Sequence, residues 1–150
     1  MSADGVKRQI LVVDDEPGLR KLLEFELKYL GYETTLAENA DAALVLLRQK
    51  PFDLVITDIR MPGTMDGIDL VEVYRKENPS QRVIFMTGYA IEEKLTQALK
   101  NPLNVCFRKP FNLHELSAAV AESTVAISIA IPIMLKTAFF ISCSSVYSFQ

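Results

Sequence analysis

The sequence is poor in the residues that build crosslinked or metal-stapled domains. Its 150 residues include no tryptophan, two cysteines and one histidine. Two cysteines cannot form a disulfide framework, and these residues do not have the spacing of a zinc site. We therefore expect a reduced, cytoplasmic protein that depends on an apolar core.

Basic charge and glycine-rich loops are also lacking. The net charge is -3 and the pI is about 5.2, so the composition gives no basic surface for direct nucleic acid binding. Gly63, Gly67 and Gly88 fit neither the dinucleotide-binding fingerprint nor the P-loop. The N-terminal segment has no apolar core before a small-residue cleavage site, and we expect no signal peptide.

Four short apolar runs each lead to a reactive polar residue. The runs end at the pair Asp14 and Asp15, at Asp58, at Thr87 and at Lys109. Continuous apolar runs of this length are typical of strands buried on both faces. In open α/β sheets, sites form where loops leave the carboxyl ends of the strands. We therefore expect three carboxylates, a hydroxyl and an ammonium group at one edge of a sheet.

Helical periodicity follows each run, so the chain predicts five βα units. The predicted strands cover residues 9–14 and 32–37 and end at Asp58, Thr87 and near Arg108. Units of this length predict an α/β fold, a doubly wound parallel five-stranded sheet with helices on both faces.

Caps indicate where the helices begin and end. Gly31 is placed to end the first helix, and Asn39 and Asp66 are predicted N-caps of the next two. A helix of about ten residues is expected after the fourth strand. Asn112 and Glu115 have the spacing of a capping box for the last helix.

The residues of the acidic edge suit phosphoryl transfer. Asp14, Asp15 and Asp58 crowd negative charge, which raises carboxylate pKa values unless a cation neutralises it. Mg²⁺ prefers a few carboxylates together with phosphate oxygens. Asp58 can then attack phosphorus as a nucleophile, while Lys109 and Thr87 bind phosphoryl oxygens. Each residue alone has a simpler explanation, as a helix start, a turn or a solvated side chain. Their conjunction at successive strand ends favours a site.

Four motifs make the chain similar to the receiver domain of two-component response regulators. They are ILVVDDEP over 10–17, TDIRMP over 57–62, TGY over 87–89 and KPF over 109–111. The resemblance covers about residues 8–122. It implies a flavodoxin-like (βα)₅ fold and phosphotransfer from a histidine kinase or phosphotransfer protein.

The resemblance also implies a role for each residue of the acidic edge. Asp58 is the implied phosphoacceptor, Thr87 the switch hydroxyl and Lys109 the phosphate-binding lysine. The implied Mg²⁺ ligands are Asp14, Asp15, Asp58 and the backbone carbonyl of Arg60. Two positions depart from the family: Thr64 is an apparent insertion, and Cys106 stands three positions before the lysine, where an aromatic residue is usual.

Two other classes of function are weighed against a signalling receiver. A Mg²⁺-dependent phosphohydrolase with an aspartate nucleophile typically places D-x-D at one strand end, whereas here the nucleophile comes two strands after the acidic pair. A phosphorylation-independent interaction module usually lacks part of the acidic set or the lysine. We expect no enzymatic activity beyond self-phosphotransfer and autodephosphorylation.

Residues 124–150 differ sharply from the rest of the chain. They contain one charged residue, Lys136, and we place a boundary near Ser123, between a receiver domain over 1–123 and an apolar C-terminal tail. Apolar residues alternate over 125–135, which is a strand period. Three roles are open: an extension that packs on the domain or causes self-association, a membrane anchor, and the remnant of a longer protein's linker.

Overall fold

The computed structural model describes residues 5–90 and 92–125, in which five strands alternate with five helices. The elements are β1 (Gln9–Val13), α1 (Pro17–Tyr29), β2 (Glu33–Ala37), α2 (Ala40–Gln49), β3 (Leu54–Asp58), α3 (Gly67–Arg75), β4 (Val83–Thr87), α4 (Glu93–Ala98), β5 (Asn104–Arg108) and α5 (Leu113–Thr124). The predicted alternation is confirmed, and the third and fourth strands end at the predicted residues.

The strands form one parallel sheet in the order β2-β1-β3-β4-β5. The chain winds outward from β1 to β2, then crosses back so that β3 lies on the other side of β1. This reversal is a topological switch point, where the carboxyl ends of parallel strands leave a crevice between diverging loops. The predicted doubly wound, flavodoxin-like fold is confirmed.

Alternate residues of each strand enter two separate apolar cores, as the period of two along a strand requires. Leu11 and Val13 pack with α2, α3 and α4 on one face of the sheet. Ile10 and Val12 pack with α1 and α5 on the other. Because both faces are covered, the central strands are apolar throughout, which explains the unbroken apolar runs of the sequence.

The structure has the predicted caps at the end of α1 and at the start of α2. Gly31 has a φ of +96°, and its N–H donates to the Lys28 carbonyl at 3.0 Å. The Tyr32 N–H donates to the Leu27 carbonyl at 3.0 Å, which completes a Schellman motif. Asn39 caps α2 by accepting from a backbone N–H of its first turn. Both predictions are confirmed.

The capping box lies on a different helix from the predicted one. Asp66 accepts from the Asp69 N–H at 2.8 Å, and the Asp69 carboxylate accepts from the Asp66 N–H at 3.1 Å. Asn112 caps α5 by accepting from the His114 N–H at 2.8 Å, and the described contacts give Glu115 no reciprocal bond to it. The predicted cap is thus correct, and the predicted box is wrong.

The helix after the fourth strand is shorter than predicted, with six residues instead of about ten. The Asn104 amide donates to the Ala98 carbonyl at 2.7 Å and so caps the last turn of α4 from the next strand. Asn101 precedes Pro102, and a residue before proline disfavours helical backbone. The contact from β5 and the proline at position 102 therefore both limit α4, and only the proline is visible in the local sequence.

The last helix runs through the expected boundary near Ser123. Thr124 is buried, and its hydroxyl donates to the Val120 carbonyl at 2.9 Å. The alternating pattern predicted for the tail falls almost entirely on residues 126–150, which lie outside the described residues. Among the helices of the described part, none has the length and apolarity to cross a bilayer.

Removing the tail after Val125 should leave the domain folded, because the described residues already form two apolar cores between Ile10 and Val120. It should also reduce self-association, since alternating apolar segments promote strand pairing between chains. Thermal melts and light scattering of the full chain and of residues 1–125 would test both effects. A full chain that is already monomeric would contradict the self-association, and a truncation that unfolds would show that the tail completes the core.

Candidate functional site

Three carboxylates converge where the neighbouring strands β1 and β3 end. Asp14 and Asp15 follow β1, Asp58 is the last residue of β3, and one oxygen from each lies within 4.8 Å of the others. Asp14 is fully buried and Asp58 is 7% exposed, whereas Asp15 is exposed. The structure thus brings the predicted acidic set together at the topological switch point.

Asp14 is fixed by hydrogen bonds to both carboxylate oxygens. Its Oδ1 accepts from the Glu16 N–H at 2.8 Å, and its Oδ2 accepts from the Lys109 ammonium at 2.8 Å. Its backbone carbonyl accepts from Arg20 at 2.7 Å. The orientation of this buried carboxylate is therefore determined by the first turn of α1 and by the end of β5.

Asp58 has fewer partners and is held less favourably in its charged form. Its Oδ1 accepts from the Ile59 N–H at 2.8 Å, and its Oδ2 lies 3.2 Å from Lys109 Nζ. Burial raises the pKa of Asp58 above its ordinary value, and the charge of Asp14 adds to this, against the opposing effect of Lys109. The lysine therefore compensates only part of the cost of burying this carboxylate.

Lys109 is the cation shared by the two buried carboxylates. Burial opposes its charge, but its bonds with Asp14 and the charges of Asp58 and Asp14 raise its pKa above the ordinary value. The ammonium therefore stays charged at neutral pH. One cation against three carboxylates leaves the cluster negative, and its oxygen donors fit a hard divalent ion such as Mg²⁺.

Thr87 is the last residue of β4, which lies next to β3 in the sheet, and its side chain is buried. Its hydroxyl oxygen accepts from the Tyr89 N–H at 3.1 Å, and its carbonyl accepts from the Lys109 N–H at 2.7 Å. The hydroxyl hydrogen has only a 3.5 Å contact with the Tyr89 carbonyl. This weak contact leaves Thr87 able to donate a hydrogen bond to an oxygen that arrives at the acidic edge.

Gly67 is a residue of this site that the sequence reasoning missed. A Cβ atom at Gly67 would lie 2.1 Å from the Asp58 carbonyl oxygen, so α3 begins in direct contact with the end of β3. The Gly67 N–H donates to the Ile59 carbonyl at 2.8 Å, and the Thr57 hydroxyl donates to the Asp58 carbonyl at 2.8 Å. A glycine directly after the capping Asp66 was the available signal for this close approach.

Two charged contacts hold the loop after β3 and the start of α3 against α4. The Arg60 guanidinium lies 4.4 Å from the centre of the Tyr89 ring and pairs with Glu92. Lys94 pairs with Asp66 at 2.6 Å and with Asp69 at 2.7 Å. Local sequence does not predict the pairings of Glu92 and Lys94, because their partners lie 25 to 32 residues away in the chain.

The two departures from the family pattern have clear positions. The Thr64 hydroxyl donates to Asp41 at 2.7 Å, which fastens the longer loop to the start of α2. Cys106 is buried with Phe85 and Leu95, as expected for an unreactive thiol in an apolar strand. The aromatic neighbour Phe107 enters the core on the opposite face of the sheet.

Comparison with known proteins agrees with this geometry. Residues 10–121 match the family described as the response regulator receiver domain. The chain is 37% identical over 117 residues to the response regulator protein PilR of Pseudomonas aeruginosa, covering 78% of this chain and 26% of PilR. It is 39% identical over 115 residues to the regulatory protein AtoC of Escherichia coli, covering 77% of this chain and 25% of AtoC.

A solved structure shares both the fold and much of the sequence. The response regulator protein TrrA of Thermotoga maritima, crystallised with Mg²⁺ and BeF, superposes with a TM-score of 0.66 and 36% identity, covering 77% of this chain and 98% of that one. The chain belongs to the response regulator receiver domain family and is a phosphorylatable signalling receiver. Receiver domains are signalling modules, not classical enzymes. The chain spans about a quarter of the length of the two curated relatives.

Replacing Asp58 by Asn should raise the melting temperature of the metal-free protein by a few degrees at neutral pH. Because folding raises the pKa of Asp58, its charge costs stability, and this cost is absent below the unfolded pKa and grows as pH rises through the folded pKa. The difference from wild type should therefore vanish in acid. Thermal melts of both proteins in EDTA, from acid to neutral pH, would measure this difference in melting temperature.

The exposed member of the cluster provides the matched control for this stability effect. Asp15→Asn should change the melting temperature less than Asp58→Asn, because Asp15 is already solvated. If Asp58→Asn melts lower than wild type at neutral pH, the bond between Asp58 and Lys109 outweighs the cost of burial.

Proposed function

We propose that Asp58 is the phosphoacceptor of this receiver and that Mg²⁺ is its cofactor. The supporting observation is a buried carboxylate at the end of β3 that shares one lysine with Asp14 and lies beside Asp15. No other group of three or more acidic, histidine or cysteine side chains in the described part converges closely enough to hold a metal.

The residues would divide the work of phosphoryl transfer. A carboxylate oxygen of Asp58 attacks the phosphorus atom of a phosphohistidine, and the phosphorus–nitrogen bond breaks with its electron pair on the imidazole. Lys109, which now shares its ammonium between two carboxylates, neutralises a phosphoryl oxygen, and Thr87 donates a hydrogen bond to another. Catalysis is thus mostly positioning and charge compensation.

The metal would occupy the negative side of the cluster. The ligands that we propose are Asp14, Asp15, Asp58 and the backbone carbonyl of Arg60. When bound, Mg²⁺ supplies the positive charge that lets an anionic phosphoryl group approach three carboxylates.

The proposed partner is a histidine kinase or phosphotransfer protein of the cytoplasm. The basis is family membership, since receiver domains take phosphoryl groups from such proteins. Because the net charge of the chain is -3, we propose that its signal reaches an output by protein contact and not by direct contact of this chain with nucleic acid.

Incubation with acetyl phosphate and Mg²⁺ should add one phosphoryl group to the protein, detected by intact mass. Asp58→Asn should abolish the addition, and EDTA should suppress it in wild type. Asp53→Asn is the matched control, because Asp53 precedes the opposite end of the same strand and should leave labelling unchanged. Persistent labelling of Asp58→Asn would falsify the assignment.

The phosphoryl group should be lost slowly, because bulky side chains stand two residues after Asp58 and Thr87. These are Arg60 and Tyr89, whose guanidinium and ring lie 4.4 Å apart, and we propose that together they shield the phosphoryl group from water. The double variant Arg60→Ala with Tyr89→Ala should lose phosphate severalfold faster, since water can then reach the phosphorus.

The decay of intact-mass labelling after removal of the donor would measure this shielding. Arg48→Ala provides a control, because Arg48 is another exposed arginine paired with a glutamate, Glu77, but at the end of α2. Its decay should match that of wild type. Equal decay of wild type and the double variant would remove shielding as the cause of slow loss.

A further inference from the structure

A cavity of about 380 Å³ lies between α3, α4 and β5, away from the acidic edge. Its apolar lining includes Val71, Phe85 and Ala98, and its polar lining includes Arg75 and Asn104. A volume of this size falls within the range of about 300–1,000 Å³ that is usual for small-molecule sites. Because α4 ends at Ala98, Asn104 and the loop after α4 line this side of the cavity in place of further helical turns.

Arg75 brings an uncompensated charge to this cavity. One terminal nitrogen donates to the Gln81 carbonyl at 2.7 Å and to the Asn104 side-chain oxygen at 2.6 Å, and both acceptors are neutral. Its Nε is buried and has no hydrogen-bond partner. Within the described part of the chain, no carboxylate lies within ion-pair distance of Arg75, although Glu72 lines the same cavity.

The free-energy cost of partly burying the Arg75 charge without an anionic partner favours an anion as the ligand of this cavity. A guanidinium remains charged at neutral pH, and burial lowers the pKa of Arg75 with no acidic neighbour to oppose it. Buried polar groups are normally satisfied, so the unpartnered Nε–H of Arg75 calls for an acceptor, which a ligand or an ordered water can supply.

We propose that this cavity binds a small monocarboxylate with an apolar body. The other terminal nitrogen of Arg75, Nη1, has no hydrogen bond within the described part of the chain and can donate to a carboxylate oxygen, and the apolar body would lie against Val71, Phe85 and Ala98. A phosphate without an apolar part would leave that surface uncovered, and the nearby charge of Glu72 disfavours a dianion. The site is independent of the phosphoacceptor and of its metal.

Titration of ¹⁵N-labelled full-length protein with benzoate would test the proposal by NMR. We expect saturable shifts at the amides of Arg75, Ala98 and Asn104. Benzamide has the same ring without the charge and should bind at least about tenfold more weakly, because it lacks the charge-assisted bond to the guanidinium. Equal binding of the two probes, no saturable binding, or equal binding of inorganic phosphate at the same amides would overturn the proposal.

Two variants locate the site without relying on loss of fold. Ala98→Leu should fill the cavity and reduce benzoate affinity at least about tenfold, while a melting curve checks that the protein is folded. Arg75→Lys keeps a charge but loses the second terminal nitrogen, and should also weaken benzoate binding. Lys76→Gln is the control, because Lys76 lines the cavity but is exposed. This variant should change benzoate affinity by no more than about twofold. Affinity that falls only in Lys76→Gln would overturn the assignment to Arg75.

Discussion

The shared ammonium of Lys109 is the interaction on which the acidic edge depends. It lies 2.8 Å from Asp14 and 3.2 Å from Asp58, so it ties the end of β5 to the ends of β1 and β3. Without it, two buried carboxylates would face each other uncompensated, at a cost of several kcal/mol per ion. Because this one cation pairs with two of the three carboxylates, the compensation is incomplete, and the cluster can accommodate a further positive charge.

Packing fixes the positions of the strand ends that carry these charged groups. Both faces of β3 are buried, and the Cβ-free contact of Gly67 with the Asp58 carbonyl brings α3 directly onto the strand end. The backbone of Asp58 therefore cannot shift without disturbing the start of α3. Fixed positions of this kind reduce the reorganisation that phosphoryl transfer requires.

Sequence reasoning predicted the features that depend on local pattern and topology. Strands buried on both faces leave unbroken apolar runs, so the ends at Asp58 and Thr87 were predicted exactly where the structure has them. The meeting of the carboxylates followed from parallel strands sharing one edge. The predicted length of α4 is wrong because Asn104 caps this helix from another strand. The pairing of Arg60 with Glu92 was not predicted, because only the fold brings their two loops together.

Among the five described helices, α4 has the fewest buried residues. It buries only Leu95, whereas α3 buries five residues. Polar contacts hold its start, through Glu92 and Lys94, and its end, through Asn104. Exposed ion pairs contribute little stability, so displacing α4 costs less than displacing a helix with a deep apolar face. Tyr89 links the acidic edge to the start of α4, because its N–H donates to the Thr87 hydroxyl and its ring contacts Arg60, the partner of Glu92.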